Sequence, residues 1–184
     1  MVRLSIMGRH NVLNAMVALA VADLSGVPLS GAVKCLAAFT GFQNRQQVMQ
    51  KHGITVIDDT YNASPVSMKA GLEVLEATAK GRRIAVLADM KELGPDSPMF
   101  HYEVGSWMKS HPVDILFTYG ELAEQIARGA KRAGMKAEYI HFEENRRDAL
   151  AEAIRAKLQP GDCVLLKGSN SMKLGEVAAK LLKD

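Results

Sequence analysis

Cysteine, long apolar runs and concentrated charge are all scarce in this sequence. The only two cysteines, Cys35 and Cys163, are far apart and fit neither a disulfide framework nor a zinc-binding spacing. We therefore expect a reducing, cytoplasmic environment. The most apolar run, residues 12–24, is interrupted by Asn14 and Asp23 and is too short to cross a bilayer.

Basic patches and glycine-rich phosphate loops are missing as well. The 23 basic and 20 acidic residues give a net charge of +3, without a block of lysine and arginine that alternates with aromatic residues. We expect neither a nucleic-acid nor a membrane partner. No G-x-x-x-x-G-K-[ST] or G-x-G-x-x-G motif occurs, so this sequence contains no cradle for nucleotide phosphates.

What the chain does contain is an alternating pattern from residue 45 onward. Apolar strands separated by helical periods predict a doubly wound α/β domain, with a mostly parallel, Rossmann-like sheet and helices on both faces. A short run at 46–50 predicts an edge hairpin. Ligands of such a domain bind at the carboxyl ends of the strands. The predicted strands are ITVIDD (54–59), RRIAVLAD (82–89), VDILFTY (113–119), AEYIHF (137–142) and DCVLLKG (162–168).

Residues 1–44 do not follow this alternation and predict two helices, Asn11–Leu24 and Leu29–Phe39. Because the first helix is apolar almost all around, it is typical of a buried helix. We interpret residues 1–44 as the tail of a preceding domain whose main part is absent here. The exposed apolar surface should then leave residues 1–24 poorly ordered or packed against another copy of the chain. The alternative is that both helices pack on the α/β domain.

The stretch IDDTYNASPVSM, at 57–68, concentrates polar groups where a predicted strand ends. Its Ser-Pro pair is suited to the N-cap and first residue of the next helix. Asp59 can accept two hydrogen bonds from a ribose diol, and Tyr61 offers a flat face to a base. Two adjacent acids with Tyr61 and Asn62 favour a ligand site over the alternative, an Asp/Asn-rich turn without a ligand.

Two further groups of polar residues are candidates. Asn11 and Asn14 lie one helical turn apart, so both amides can approach one adenine edge, although His10 or Asn11 can equally be a helix cap. KGSNSMK, at 167–173, joins a strand to a helix N-terminus, where free N–H groups and the helix dipole favour a carboxylate. Simple capping by its serines is the alternative.

Five stretches together resemble the bacterial Mur ligase family over essentially the whole chain. They occur in the family's order and correspond to the end of its central ATPase domain and to its C-terminal domain. The resemblance implies that residues 1–44 are the helical tail of the ATP-binding domain and that residues 45–184 are the C-terminal ligase domain. The stretches are GRHNVLNA (8–15), DDTYNASPVSM (58–68), LADMKELG (87–94), HYEVG (101–105) and LLKGSNSMKLGEV (165–177).

The resemblance implies an ATP- and Mg²⁺-dependent enzyme of peptidoglycan precursor synthesis. DDTYNASP is similar to the branch that joins D-alanyl-D-alanine to UDP-N-acetylmuramoyl-tripeptide through an acyl phosphate. The phosphate and metal sites would lie mostly upstream, so we expect this chain alone to be inactive. Two alternatives remain, namely another Mur or folylpolyglutamate-type ligase, and a non-catalytic Rossmann-like module that binds a small anionic ligand.

The family pattern also implies roles for individual residues. Arg45 would reach the ATP phosphates and stabilise developing charge; its alternative is a surface arginine. The Asp89–Glu92 corner and His101 would shape the dipeptide pocket, whereas the alternative for His101 is a purely structural histidine. The implied nucleotide-binding residues are His10, Asn11, Asn14, Asp59 and Tyr61, and the implied substrate-binding residues are Asn62, Lys167, Ser169 and Ser171.

This sequence departs from the family pattern at three places. Ala88 stands where many members carry glycine, and Asn170 replaces an arginine that is common in the KGS-x-SM stretch. Gln43 and Asn44 precede Arg45 where a glycine is usual. The substitution at Asn170 puts the implied mode of dipeptide carboxylate binding in doubt, whereas none of the three changes the expected architecture.

Overall fold

The computed structural model describes residues 2–183, which form seven α-helices and six β-strands. Short 3₁₀ turns at Met108–Ser110 and Asn170–Met172 add to them. The elements are α1 (Arg9–Leu24), α2 (Leu29–Ala38), β1 (Gln47–Lys51), β2 (Ile54–Asp59), α3 (Pro65–Thr78), β3 (Arg83–Ala88), α4 (Ser97–Trp107), β4 (Ile115–Tyr119), α5 (Glu124–Arg132), β5 (Glu138–Phe142), α6 (Arg147–Lys157), β6 (Cys163–Lys167) and α7 (Leu174–Leu181).

The strands form one sheet in the order β1-β2-β6-β3-β4-β5. β1 pairs with β2 in an antiparallel hairpin, and all other neighbours are parallel. The predicted strands and the predicted edge hairpin are therefore confirmed. Because β6, the last strand, lies between β2 and β3, the loops that follow β2, β6 and β3 meet at one edge of the sheet.

Hydrophobic cores cover both faces of the sheet, as expected for a doubly wound fold. Alternate strand residues point to opposite sides, so Ile57 and Leu165 belong to one core and Val56 and Val164 to the other. Helices α3, α4 and α5 pack on the first face, whereas α6 and α7 pack on the second. Within residues 2–183, no helix is long and apolar enough to traverse a lipid bilayer.

Helices α1 and α2 occupy nearly the predicted ranges, with α1 beginning two residues earlier and α2 ending one residue earlier. Ala15 is the only buried residue of α1. Six large apolar side chains on this helix are exposed, Leu24 by 88%. Packing among residues 2–183 therefore leaves most of the apolar surface of α1 uncovered, and self-association through it stays a prediction. The six are Val12, Leu13, Met16, Val17, Val21 and Leu24.

The crossing of α4 and α5 depends on two glycines. A Cβ atom built on Gly105 would lie 1.9 Å from the carbonyl oxygen of Ile126, and one on Gly129 would lie 2.1 Å from that of Tyr102. Neither distance is possible between real atoms, so the two helix backbones are in direct contact. Without side chains at these two positions, α5 can approach α4 closely enough to complete the core on that face.

We predict that Gly105→Ala destabilises the chain by about 1–3 kcal/mol or more, because the added methyl group must push two backbones apart. Chemical denaturation followed by circular dichroism measures this change. The matched control is Gly31→Ala in α2, where no atom lies within 4 Å of the new Cβ. This control should be neutral or should stabilise the helix by up to about 1 kcal/mol. Equal stability of both variants would contradict the proposed tight crossing.

Candidate functional site

The two predicted polar corners meet at one edge of the sheet. Asp59 ends β2, Lys167 ends β6, and the two residues are direct register partners on neighbouring parallel strands. The Lys167 Nζ atom donates hydrogen bonds to Asp59 Oδ2 at 2.7 Å and to the carbonyl oxygen of Asn62 at 3.0 Å. The strand ends Asp59 and Lys167 thus line the same cleft, and the loops that follow them leave the same edge of the sheet rather than opposite edges.

The Lys167–Asp59 ion pair is almost dry, with 2% and 10% of the two side chains exposed. Helix α3 covers it through Gly71, where a Cβ atom would lie 3.2 Å from Lys167 Cδ and 3.5 Å from Asp59 Oδ2. Burial lowers the pKa of Lys167, and the Asp59 carboxylate opposes that shift. A buried lysine with two hydrogen-bond acceptors is fixed in place, so this pair defines the floor of the cleft.

The cleft above this pair has a volume of about 1160 Å³ and lies between helices α1 and α2 and the carboxyl edge of the sheet. One part of its wall is apolar, with Phe39 and Phe42 packed edge to face and Leu36 and Val66 nearby. The structure brings together eight of the ten predicted site residues here. They are His10, Asn11, Asn14, Arg45, Asp59, Tyr61, Asn62 and Lys167.

The amides of α1 lie on the same side of the helix, as predicted. Asn14 Nδ2 donates to Asn11 Oδ1 at 3.2 Å, and Asn11 Nδ2 donates to the carbonyl oxygen of Met7 at 2.6 Å and to Gln46 Oε1 at 3.4 Å. The N-cap position of α1 is Gly8, so neither His10 nor Asn11 is the cap residue. Both asparagines line the cleft with their polar groups already oriented by hydrogen bonds.

Arg45 stacks on the ring of Tyr61, the residue that is predicted to offer a flat face to a base. Its Cζ atom lies 3.8 Å from the centroid of the Tyr61 ring, which is a cation–π geometry. Tyr61 is nevertheless 47% exposed, so a large part of its ring remains accessible from the cleft. The sequence predicts a site for both residues but does not reveal that they stack on each other.

The remaining two predicted site residues, Ser169 and Ser171, are not among the residues that line the cleft. Ser169 Oγ accepts a hydrogen bond from the Lys91 backbone at 2.8 Å, and its own N–H donates to the Asp89 carbonyl oxygen at 3.0 Å. Ser171 lies exposed on the 3₁₀ turn that separates β6 from α7. This turn is followed by the left-handed residue Lys173, the N-cap position of α7, so α7 does not begin directly at the strand end. A role for the two serines in binding stays a prediction.

The Asp89–Glu92 corner lies at the same edge but beside the cleft. Asp89 is fully buried, and its carboxylate accepts hydrogen bonds from the Ala123 backbone at 2.7 Å and from Lys91 Nζ at 2.9 Å. This carboxylate therefore ties the loop after β3 to the loop after β4. Next to it, Gly168 lies against Ala88, since a Cβ atom on Gly168 would be 2.6 Å from the Ala88 Cβ atom.

His101 supports this corner from below and is fully buried. Its Nδ1 atom lies 2.7 Å from the Ser97 carbonyl oxygen, and its Nε2 atom accepts a hydrogen bond from the Met90 N–H at 2.8 Å. These partners require the tautomer that is protonated on Nδ1, because a carbonyl oxygen can only accept. His101 thus holds the loop in shape and does not reach the cleft, and burial lowers its pKa.

Sequence reasoning missed three residues that shape the site. Gly71 permits the close approach of α3, and a glycine inside an apolar helical period was the available signal. Thr60 donates its hydroxyl to Asp58 Oδ1 at 2.7 Å. Asn44 in turn donates to Thr60 Oγ1 at 3.0 Å. Burial raises the pKa of Asp58, and the hydrogen bonds from Thr60 oppose that shift.

Among residues 2–183, no cluster of three or more metal-binding side chains is present.

Comparisons with known proteins point to one family. The family model described as Mur ligase, glutamate ligase domain, matches residues 44–170. The UDP-N-acetylmuramoyl-tripeptide–D-alanyl-D-alanine ligase of Bacillus subtilis (strain 168) is 36% identical over 181 residues, which are 97% of this chain and 39% of that protein. A relative from Mycobacterium tuberculosis (strain CDC 1551 / Oshkosh) carries the same name. It is 36% identical over 202 residues, and the match covers 100% of this chain and 40% of that protein.

Solved structures agree with the sequence relatives. A crystal structure of MurF from Acinetobacter baumannii has a TM-score of 0.85 at 32% identity and covers 100% of this chain and 39% of its own. MurF ligase from Thermotoga maritima, solved in complex with ADP, has a TM-score of 0.78 at 26% identity, over 96% of this chain and 38% of its own. The chain spans about two fifths of the length of the relatives that it matches.

Removing the lysine from the buried ion pair should be costly. We predict that Lys167→Met lowers the free energy of unfolding by about 3–5 kcal/mol, because it leaves the Asp59 carboxylate buried without its partner. Urea denaturation measures this change, and the double variant Lys167→Met/Asp59→Asn should regain much of the loss. The matched control is Lys180→Met at the exposed pair with Asp148, where little change is expected. Similar losses in both lysine variants would contradict the structural role of Lys167.

The lowered pKa of His101 predicts a stability that depends on pH. Below about pH 6.5, His101 is protonated in the unfolded chain, whereas burial disfavours its protonation in the folded chain. The unfolded state then carries more protons, so the free energy of unfolding should fall as the pH drops from 7.5 to 5.5.

The variant His101→Gln isolates this contribution, because a glutamine amide carries both a donor and an acceptor but does not titrate. Urea midpoints of both proteins at the two pH values give the comparison. A drop that is equally large in His101→Gln would assign the pH dependence to other groups.

Proposed function

The chain belongs to the Mur ligase family, and from this premise we propose that it is the C-terminal part of an ATP-dependent ligase that joins D-alanyl-D-alanine to UDP-N-acetylmuramoyl-tripeptide. The product of this reaction is a peptidoglycan precursor, formed in the cytoplasm. The proposal is supported by the names of the curated relatives, which are matched over nearly the whole chain. The observation that carries it is the cleft that both strand ends, Asp59 and Lys167, line together with Arg45 and the polar residues of α1.

We also propose a division of the chain into two segments. We assign residues 1–44 to the end of a central ATP-binding domain and residues 45–184 to a C-terminal ligase domain. The family match begins at residue 44, which supports a boundary there. The uncovered apolar surface of α1 supports a larger partner domain for the first segment. The cleft lies between the two segments, where closure would exclude water from a reactive intermediate.

One side of the cleft is suited to a nucleoside. The amides of Asn11 and Asn14 offer donors and acceptors to an adenine edge, with His10 beside them and the exposed part of the Tyr61 ring available for stacking. The Asp59 carboxylate uses Oδ2 for its hydrogen bond with Lys167, and within residues 2–183 its Oδ1 atom has no hydrogen-bond donor. Oδ1 can therefore accept a hydrogen bond from a ribose hydroxyl. The complex of the Thermotoga relative with ADP supports the use of an adenine nucleotide.

Mg²⁺ accompanies ATP in the proposed reaction. The described residues do not provide a cluster of ligands for it. We therefore assign no part of this chain to binding the metal ion.

The other side of the cleft would bind the dipeptide and assist its attack. A lysine ammonium group has three N–H donors, and Lys167 uses two of them for Asp59 and Asn62. The third can bind the carboxylate of D-alanyl-D-alanine, with Asn62 at the same wall. The dipeptide amine then attacks the acyl phosphate and phosphate leaves. The guanidinium of Arg45, which lines the cleft, stabilises the charge that develops on the phosphate.

A chimera tests this function directly. The chain replaces the corresponding region of the Bacillus subtilis relative, and phosphate release is measured with ATP and UDP-N-acetylmuramoyl-tripeptide. We expect release that depends on D-alanyl-D-alanine and is not supported by glutamate or a single D-alanine. The chain alone should give no turnover. In the chimera, Arg45→Ala should lower kcat by about 10²–10³-fold, as expected for the loss of one charge-stabilising group.

Two results would overturn the proposal. The first is a folded chimera that releases phosphate faster with a single amino acid or glutamate than with the dipeptide, which would favour another ligase of the family. The second is turnover by the isolated 184-residue chain. Calorimetry of the chain with D-alanyl-D-alanine and with NAD tests the alternative of a non-catalytic Rossmann-like binding module. Such a module would bind one of these ligands, and the chimera would show no turnover.

A further inference from the structure

The segment that carries Arg45 has an unusual backbone. Asn44 and Gln46, on either side of Arg45, both have left-handed conformations, with φ angles of 60° and 51°. Residues other than glycine rarely adopt this region, although asparagine tolerates it better than most. Such a conformation persists only where the surroundings impose it. The contacts of this short segment therefore determine where the Arg45 side chain points.

Asn44 supplies those contacts. Its Nδ2 atom donates to Thr60 Oγ1 at 3.0 Å and to Asp58 Oδ2 at 3.4 Å. Its carbonyl oxygen accepts a hydrogen bond from the Tyr61 N–H at 2.9 Å. Backbone and side chain of Asn44 are thus both bonded to the end of β2 and the turn after it, at three of the four positions from 58 to 61.

Helix α7 encloses the Asn44 amide from the other side. A Cβ atom on Gly175 would lie 2.8 Å from Asn44 Nδ2 and 3.1 Å from Thr60 Oγ1. Any larger side chain at Gly175 would push the amide away from its acceptors. The amide therefore occupies a slot between the end of β2 and the first turn of α7, and this slot has room for little else.

We propose that Asn44 is a positioning residue for Arg45. Its attachment to Asp58, Thr60 and Tyr61 fixes the left-handed turn from which the Arg45 guanidinium reaches the face of Tyr61 and the cleft. Asn44 itself need not touch a substrate. The inference rests on the proposed function only for what Arg45 acts on, because the geometry of the Asn44–Arg45–Tyr61 arrangement is independent of the reaction.

Nuclear magnetic resonance of the 184-residue chain tests the geometry. A guanidinium stacked on a tyrosine ring shifts the Arg45 δ and ε proton signals upfield, and Tyr61→Leu identifies this shift by abolishing it. Asn44→Gly permits the left-handed backbone but removes the amide. We expect it to abolish the upfield shift while the far-ultraviolet circular dichroism stays unchanged. The matched control, Asn145→Gly at an exposed turn, should leave the Arg45 signals in place.

Gly175→Ala provides a second, independent variant that keeps Asn44 and displaces its amide from the α7 side. It should also abolish the upfield shift. If the Arg45 signals keep their upfield shift in folded Asn44→Gly or in folded Gly175→Ala, Asn44 does not position Arg45 and the inference is overturned. Because the two substitutions lie in different elements, the failure of one variant to fold still leaves a decisive measurement on the other.

The chimera separates this inference from the proposed function. There, Asn44→Gly should lower kcat on the order of 10²-fold through misplacement of Arg45, with little change in the KM for D-alanyl-D-alanine. A raised KM with an unchanged kcat would contradict a positioning role for Arg45. If the unsubstituted chimera shows no phosphate release that depends on the dipeptide, the proposed function fails, and the magnetic resonance result alone decides whether Asn44 positions Arg45.

Discussion

The ion pair between Lys167 and Asp59 is the interaction on which the rest of the site depends. It joins the ends of two strands that are distant in sequence, and it does so beneath α3, where Gly71 leaves just enough room for the lysine stem. Burying two charges is costly, so the pair stabilises the fold only as long as both partners and the additional acceptor at Asn62 are present. Its position at the floor of the cleft means that the same contacts that keep the strand ends together also determine which polar atoms face a ligand.

Much of this architecture follows from the pattern of apolar residues. Each predicted strand and the edge hairpin are confirmed, because apolar strands between helical periods allow few other arrangements. Helical spacing alone predicts that Asn11 and Asn14 lie together, but only the family resemblance predicts their grouping with Arg45 and Tyr61, which come from other segments. Hydrogen bonds between loops cannot be predicted from the sequence. The positions of Ser169, Asp89 and His101 depend on contacts between loop atoms that are distant in sequence. No short-range pattern of residue types predicts such contacts.

The cleft has two walls of different character, and the segment from Asn44 to Gln46 connects them. Asn44 is bonded to the end of β2, whereas Gln46 accepts a hydrogen bond from Asn11 of α1. The two left-handed residues are thus held from both sides, next to Arg45, the residue that would act on the phosphate groups.

The contact between Ala88 and Gly168 has an evolutionary consequence. The space between these two strand ends holds a single methyl group, which position 88 supplies in this chain. An alanine at position 168 would therefore require glycine at position 88, and its methyl group would still lie 3.3 Å from Leu174 Cδ1. Across homologues the two positions should covary, with at most one alanine in each sequence, and an alignment of many relatives would display this exchange as a correlated pair.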